Sequence, residues 1–201
     1  MATNTGMTTD SEVIQRSRDS PRAFGDLFHR HHVAVYRYVA RRAGAETADE
    51  VMAETFLVAF ERRDRFDHAY SDARPWLFGI ATTLLAAHRR REARHLNALA
   101  RASEREDDDG GLGQVASRVD ASADVRRIAA RVRALSDGDR DVLLLHAWAD
   151  LTAEQIAAAL NIPVGTVWSR LSRARKALRE TAGGSTSKET DHGRVDSAAT
   201  A

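Results

Sequence analysis

Apolar side chains recur every three or four residues along most of the chain, and a sustained alternation of apolar and polar positions is nowhere present. This period predicts helices that each bury one stripe, and it argues against a sheet. The first clear stripe lies between Pro21, which suits the opening turn of a helix, and Gly44, which ends one. We therefore expect an all-α protein.

Two more helices are predicted in the N-terminal half. Thr47 and Glu50 have the spacing of a capping box, which predicts the start of the second helix. A polar connection over residues 64–74 follows, and Pro75 then predicts the start of the third helix. We expect the three helices to form one small bundle over residues 21–96.

A change of composition separates this bundle from a second helical unit. Residues 97–123 are rich in Ser, Gly and acidic side chains, which predicts a flexible acidic linker between two units that fold independently. Helical periodicity returns over residues 124–180. Residues 1–20 and the Gly-, Ser- and Thr-rich residues 181–201 are expected to be disordered.

The second unit has the pattern of a helix-turn-helix. Thr152 and Gln155 have capping-box spacing for a short helix, and Asn161 tolerates the left-handed conformation of a tight turn. In the next helix one stripe is apolar and the other faces are rich in arginine, as in a helix that docks on its scaffold and enters the major groove. The side chains on those other faces are Ser169, Arg170, Arg173 and Lys176.

Composition excludes several kinds of chemistry. The 201 residues include no cysteine, so disulfides, thiolate catalysis and cysteine-ligated zinc are ruled out. We find no glycine-rich phosphate loop, no nucleophile elbow and no His-Glu pair of metalloprotease type, and we expect no enzyme and no cofactor. The eight histidines include His29 and His32 on one helix face, but no third ligand has a matching helical spacing, so we expect no metal site.

The net charge of +1 conceals a segregation of charge along the chain. Two basic runs, at residues 88–91 and 170–179, are each attached to a predicted helix, whereas residues 104–109 are acidic. Two arginine-rich helices favour a polyanionic partner such as DNA. No apolar run approaches the roughly 20 residues of a membrane helix, and residues 1–10 lack the features of a secretory signal. We therefore expect a cytoplasmic protein that does not insert into a membrane.

The helix-turn-helix has a specific resemblance. The stretch IPVGTVWSRLSRARKALRE closely resembles the second half of the domain with which extracytoplasmic-function (ECF) sigma factors bind the minus-thirty-five promoter element. The preceding LSDGDRDVLLLHAWADLTAEQIAAAL resembles the first half of that domain, called sigma region 4. The resemblance implies minus-thirty-five contacts by Trp168, which stands where the family commonly has Lys or Arg, and by Ser169, Arg170, Ser172, Arg173 and Lys176.

The N-terminal bundle resembles sigma region 2 of the same family. ADEVMAETFLVAFERRDRF is similar to the polymerase-binding segment, which implies that Asp49, Glu50 and Glu54 dock on the clamp helices of the largest subunit of core RNA polymerase. ARPWLFGIATTLLAAHRRR is similar to the segment that recognises and melts the minus-ten element, and the loop before it cradles an extruded base in the family. The implied DNA contacts there are Phe66, His68, Tyr70, Thr83, His88, Arg89, Arg90 and Arg91.

The resemblance thus implies an alternative sigma factor of the sigma-70 family that binds core RNA polymerase, recognises both promoter elements and promotes melting of promoter DNA. The alternative interpretation is a stand-alone helix-turn-helix regulator whose N-terminal half serves as a sensor or dimerisation domain. No heptad-like seam for such a dimer is visible, and the regulator would leave the basic helix that ends at Arg91 without a role. The resemblance leaves open whether an anti-sigma factor is a further partner.

Overall fold

The computed structural model describes residues 8–103 and 123–180, and its side chains over residues 8–98 and 127–179. Within those residues the chain forms eight α-helices and no strand, which confirms the all-α prediction. The N-terminal domain contains α1 (Asp10–Asp19), α2 (Phe24–Ala43), α3 (Ala45–Glu61) and α4 (Arg74–Ser103). The C-terminal domain contains α5 (Ala123–Ala134), α6 (Asp137–Trp148), α7 (Ala153–Leu160) and α8 (Val164–Glu180).

The helix α1 corrects the prediction that residues 1–20 are disordered. Thr9 and Glu12 form a complete capping box, in which the Thr9 hydroxyl accepts from the Glu12 amide and the Glu12 carboxylate accepts from the Thr9 amide. Val13 and Ile14 are fully buried, so α1 belongs to the core of the N-terminal domain. The part of the prediction that concerns residues 1–7 lies outside the described residues.

The reversal between α2 and α3 is tighter than the sequence suggested. Gly44 ends α2 as predicted, with a φ of 86° that favours glycine, and α3 begins at the next residue. Thr47 and Glu50 therefore lie inside α3, and the prediction that they cap it is wrong. Because Gly44 reverses the chain by itself, no polar connection or side-chain cap is needed.

The helix α4 is longer than predicted. It begins at Arg74, where the Asp72 carboxylate accepts from the Arg74 amide at 2.9 Å, and it continues to Ser103. The first residues of the predicted linker over 97–123 are thus helical, and residues 104–122 lie outside the described residues. The predicted tail over residues 181–201 also lies outside them.

The helix-turn-helix is confirmed at its local signals. Thr152 and Gln155 form the predicted capping box of α7, and Asn161 follows it with φ 50° and ψ 52°, in the left-handed region. The core of the C-terminal domain lies between α6, α7 and α8, where Leu145 and Ile156 are fully buried.

The two domains pack against each other, which the sequence did not predict. The main contact is between α4 and α7, where a Cβ atom built on Gly79 would overlap the carbonyl oxygen of Ala159. Arg42 of α2 forms an ion pair with Asp141 of α6, and its side chain is only 3% exposed. We call this arrangement of the two domains the closed arrangement.

Candidate nucleic-acid interface

The helix α8 presents a polar face on the outside of the C-terminal domain. Its apolar stripe, Val167, Leu171 and Ala174, is buried against α6 and α7. Trp168 is 52% exposed, which is unusual for so large an apolar side chain and fits a contact surface. The other predicted minus-thirty-five residues that are exposed are Ser169, Ser172, Arg173 and Lys176, whereas Arg170 is half-buried.

Arg173 is already oriented by a partner within the domain. Its Nη2 donates to Oδ1 of Asp139 at 2.8 Å and its Nε donates to Oδ2 at 3.3 Å. The hydrogen bond from Arg173 is the main cause that lowers the pKa of the Asp139 carboxyl below its ordinary value. Asp139 therefore stays ionised and holds the guanidinium on the face of the domain to which α8 contributes. The hydroxyl of Ser169 is also engaged, since it donates back to the carbonyl groups of Gly165 and Thr166.

The basic run on α4 is split between two environments. Arg90 and Arg91 are exposed to solvent, whereas His88 and Arg89 are half-buried. Nη1 of Arg89 lies 3.6 Å from Oδ1 of Asp137 in the C-terminal domain. Burial lowers the pKa of the Arg89 guanidinium. In the closed arrangement only part of the predicted minus-ten surface is therefore open to DNA.

Thr83 marks the other edge of that surface. Its hydroxyl donates to the carbonyl of Gly79 at 3.0 Å, and the side chain is exposed at the rim of a groove between the two domains. Ala158 and Ala159 of α7 form the opposite wall of the groove. A DNA strand that reaches Thr83 along α4 would meet α7.

The loop before α4 holds its three predicted base-binding residues differently. Phe66 is buried and packs on Trp76 with ring centroids 5.2 Å apart, so it belongs to the core and does not line an exposed pocket. Tyr70 is 48% exposed and His68 is exposed. Of the three, only His68 and Tyr70 are accessible to a base.

His68 is held by α1 through both of its ring nitrogen atoms. Nδ1 lies 2.9 Å from the hydroxyl of Ser11, and Nε2 lies 3.2 Å from Nη2 of Arg18. A guanidinium can only donate, so Nε2 accepts and the proton is on Nδ1, which donates to Ser11. The two contacts thus fix the orientation of the ring. Sequence reasoning missed this support, although the Thr9 and Glu12 spacing could have revealed α1.

Asp10 fastens α1 to α2 and to the start of α4. Its carboxylate is buried and accepts from Nη1 of Arg30 at 3.0 Å, from Nε2 of His31 at 2.7 Å and from the amide of Ala73 at 3.0 Å. Burial alone would raise its pKa, but the bonds from His31, Ala73 and Arg30 outweigh burial and lower the pKa to about 2. The loop that carries His68 is therefore anchored at its far end as well.

One group of side chains has the spacing of metal ligands. Asp10, His31 and Asp72 place ligand atoms within 4.8 Å of one another. However, Asp10 already pairs with Arg30, and Asp72 pairs with Arg74 at 3.0 Å. Two guanidinium groups next to the two carboxylates oppose a metal cation, so we assign no metal site in the part of the chain that the structure describes.

The predicted polymerase-binding residues lie together on α3. Asp49 and Glu50 are exposed and Glu54 is half-buried, while Val51 and Phe56 of the same helix are buried in the core. Leu57, 57% exposed, adds an apolar side chain to the outer surface of the same helix. Acidic side chains around an exposed leucine suit a protein partner with a basic surface.

The fold and the two basic helices define a helical DNA-binding protein with two nucleic-acid surfaces on separate domains. The family described as sigma-70 region 2 matches residues 27–95, and the family described as sigma-70, region 4 matches residues 126–178. The chain therefore belongs to the sigma-70 family, within its ECF subfamily of alternative RNA polymerase sigma factors. The family is not a class of enzymes.

Curated relatives match most of the chain. The chain is 33% identical over 148 residues to a probable RNA polymerase sigma-C factor of Mycobacterium bovis, which covers 72% of this chain and 75% of the relative. It is 32% identical over 158 residues to the ECF RNA polymerase sigma factor SigL of Mycobacterium tuberculosis, with 77% and 86% covered. It is 31% identical over 175 residues to the RNA polymerase sigma factor CnrH of Cupriavidus metallidurans, with 83% and 90% covered.

Two solved structures resemble the fold. The structure of CnrH in complex with the cytosolic domain of CnrY has a TM-score of 0.61 and 26% identity, and covers 88% of this chain and 99% of that chain. The sigma factor RpoE of Bartonella quintana, in complex with the anti-sigma factor NepR, has a TM-score of 0.58 and 21% identity, with 82% and 99% covered. None of the described helices combines the length and the apolar character that a bilayer crossing requires.

Proposed function

We propose that this alternative sigma factor docks on core RNA polymerase through α3, reads the minus-thirty-five element with α8, and captures the minus-ten element with α4 and the loop before it. The observation that carries the proposal is the presence of two exposed basic surfaces on different domains, at Arg90 and Arg91 and on the outer face of α8. The protein has no catalytic role of its own in this proposal, and it acts in the cytoplasm, where it meets polymerase and DNA.

The predicted minus-thirty-five contacts of α8 have different roles in this proposal. Arg173 reads a base edge, because its guanidinium is preoriented by Asp139 and has donors in the fork geometry that matches guanine. Trp168 packs on sugar or on a base methyl group, since an indole ring cannot neutralise a phosphate. The remaining minus-thirty-five contacts, from Ser169, Arg170, Ser172 and Lys176, position the domain on the backbone and the groove edges.

In the minus-ten region we propose that His68 and Tyr70 receive the extruded base. Both side chains are accessible, and His68 is fixed by Ser11 and Arg18. Phe66 supports the loop from below through Trp76 and does not touch DNA. The arginines of α4 hold the strand backbone by charge, which carries no sequence information.

Promoter recognition requires the closed arrangement to open. The two promoter elements are separated by about 25 base pairs, or about 85 Å along the duplex at 3.4 Å per pair. Two touching domains of this size have centres only about 35 Å apart. We propose that the free chain is closed and that docking of Asp49, Glu50 and Glu54 on the clamp helices of core polymerase fixes the domains far apart. This movement also exposes Arg89 and takes α7 away from the Thr83 edge of α4.

We also propose an anti-sigma factor as a partner of this chain. Two relatives of similar fold were solved in complexes, CnrH with the cytosolic domain of CnrY and RpoE with the anti-sigma factor NepR. A partner that covers the α3 surface would keep the chain from core polymerase. Co-purification of a bound protein whose removal restores binding to core polymerase would support this assignment, and recovery of the chain without such a protein would oppose it.

Permanganate footprinting tests the main proposal. Unpaired thymines around the start site should appear only when the chain and core polymerase are combined on a promoter, and with neither alone. Free chain should bind duplex promoter weakly, because one small helix-turn-helix covers only part of a site. Tight binding by the chain alone that core polymerase does not improve would contradict the proposal and favour the stand-alone regulator.

A further inference from the structure

The closed arrangement forms a positively charged cavity between the two domains, and the cavity is open to solvent on one side. Its volume is about 320 Å³, which is in the range of small-molecule sites. The N-terminal domain contributes side chains from the end of α2 and from α4, and the C-terminal domain contributes side chains from α5 and α6. The five arginines that line it are Arg41, Arg42, Arg89, Arg133 and Arg140.

The positive charge in this cavity is only partly compensated. Asp141 pairs with Arg42, and Asp137 is shared between Arg89 and Arg140. Within the part of the chain that the structure describes, two carboxylates thus face five guanidinium groups. Burial lowers the pKa of the Arg89 guanidinium, and the charges of Arg42 and Arg140 lower it further, which indicates mutual repulsion in the cavity.

Two buried donors in the same place lack an acceptor. Nη2 of Arg89 and Nε of Arg140 are buried and have no hydrogen-bond partner among the described residues. The side chains of these arginines are 31% and 16% exposed, so water reaches them only in part. Buried guanidinium donors without acceptors are costly, and a phosphate group in the cavity satisfies them once the two side chains turn toward it.

The rest of the cavity wall is apolar. Val132 and Leu144 form part of the wall, and Ile128 and Trp148 beside them are 52% and 38% exposed. The Cζ atom of Arg41 lies over one face of the Trp148 ring, 5.6 Å from the ring centroid. An inorganic anion would leave this apolar surface uncovered, whereas a ligand with a planar ring would cover it.

We infer that the closed arrangement binds a small organic phosphate of the nucleoside diphosphate class, with its phosphates between Arg89 and Arg140 and its base against the wall that Trp148 and Leu144 form. Nucleic acid is not the ligand of this site, because a cavity of about 320 Å³ between two packed domains holds a small molecule and not a continuing strand. The ligand contacts both domains, so it binds the closed arrangement and not the open one.

If the proposed function holds, the ligand also regulates binding of the chain to core polymerase. A ligand that binds only one of two arrangements stabilises that arrangement, and the linkage is reciprocal. The phosphate compound should therefore weaken binding of the chain to core polymerase, and core polymerase should weaken binding of the compound. Arg89 would bind the phosphate in the closed arrangement and would be free to contact DNA in the open one.

Titration calorimetry of the full chain at low salt tests the site without any polymerase. ADP should bind with a stoichiometry of one and about tenfold more tightly than pyrophosphate, while adenosine alone should bind more weakly than either. Arg140→Met should weaken ADP binding about tenfold or more, because it removes the charge and the donors but keeps an apolar stem like that of arginine. The control Arg22→Met removes an exposed arginine that does not line the cavity, and it should change affinity less than about twofold.

A second pair of variants tests whether the site needs both domains. Gly79→Ala introduces a Cβ atom that α7 cannot accommodate, so it should abolish ADP binding although all five arginines remain. Gly25→Ala adds the same atom in open space and should leave binding unchanged. Absence of saturable ADP binding to the wild-type chain, equal losses in Arg140→Met and Arg22→Met, or full binding by Gly79→Ala would each overturn the inference. Binding of ADP without any effect on core polymerase would instead leave the site intact and reject its regulatory role.

Discussion

At the level of single residues, Arg173 is a predicted DNA contact that the protein already holds in place. Its two hydrogen bonds to Asp139 fix the plane of the guanidinium before DNA arrives. Because fewer rotamers are then lost on binding, the entropic cost of a base contact is reduced. The sequence could place Arg173 on the polar face of α8, but it could not reveal a partner 34 positions away on α6.

Replacement of Arg173 by alanine should therefore weaken recognition of the minus-thirty-five element by about 1 to 3 kcal/mol, if the side chain contacts a guanine. The loss should be confined to the matched sequence, measured as anisotropy of the polymerase complex on matched and scrambled duplexes. Arg175→Ala is a suitable control, since Arg175 is exposed on the same helix but is not among the predicted contacts. Equal losses on both duplexes would show that Arg173 touches only phosphate.

Asp10 provides a test of the anchor between α1 and the minus-ten loop. Its folded-state pKa of about 2 lies below the ordinary value of 3.8, so its stabilisation is complete above that ordinary value and is lost as the pH falls toward 2. The shift corresponds to about 2 kcal/mol. Asp10→Asn should lower the free energy of unfolding by about this amount at pH 7, and the difference from wild type should disappear near pH 2.

Urea denaturation of both proteins between pH 7 and pH 2 measures the effect. Asp19→Asn is the matched control, because Asp19 lies on the same helix and is exposed. A constant difference between wild type and Asp10→Asn across this pH range would mean that the ion pairs of Asp10 are not its source.

At the level of whole elements, the sequence predicted a helix end correctly where a capping residue or glycine stands at that end. Gly44 ends α2, and the Thr152 and Gln155 capping box opens α7, because each acts through the backbone of its own turn. The same box at Thr9 and Glu12 opens α1, yet the polar residues around it resembled a disordered leader. Residues 10–19 are ordered because other helices bury Val13 and Ile14, and such burial is a tertiary property.

Gly79 gives the clearest prediction at this level. A glycine inside a helix normally costs about 1 kcal/mol relative to alanine, so Gly→Ala would usually stabilise the protein. At Gly79 the added Cβ meets the backbone of Ala159, so Gly79→Ala should separate α4 from α7 and increase the radius of gyration of the free chain. Gly25→Ala should leave the radius unchanged, because nothing lies within 4 Å of its Cβ position.

Small-angle scattering and circular dichroism distinguish the possible results. The expected outcome for Gly79→Ala is an increased radius with unchanged helix content. A compact Gly79→Ala chain would show that the contact between α4 and α7 is not what holds the domains together.

At the level of the whole molecule, the sequence predicted the two domains but not their contact. Gly79 reads as an ordinary small residue in a helix, and Arg42 and Asp141 are separated by 99 positions. Their pairing depends on how two finished domains meet, and no periodicity or spacing along the chain encodes that. The predicted minus-ten surface could not be placed from the sequence for the same reason, since Arg89 faces Asp137 across the domain contact.

The closed arrangement can be trapped because the chain has no cysteine of its own. Val58 of α3 and Ala158 of α7 line the same groove between the domains, and neither is a predicted DNA or polymerase contact. A Val58→Cys, Ala158→Cys variant treated with a short bismaleimide that contains a cleavable disulfide would tether the domains.

Because tethered domains cannot reach promoter elements about 85 Å apart, the tethered chain should give no run-off transcript with core polymerase. Reduction of the cross-linker should restore transcription, and each single-cysteine variant should stay active after the same treatment. Full activity of the tethered chain would show that the closed arrangement is compatible with initiation and that opening of the domains is not required.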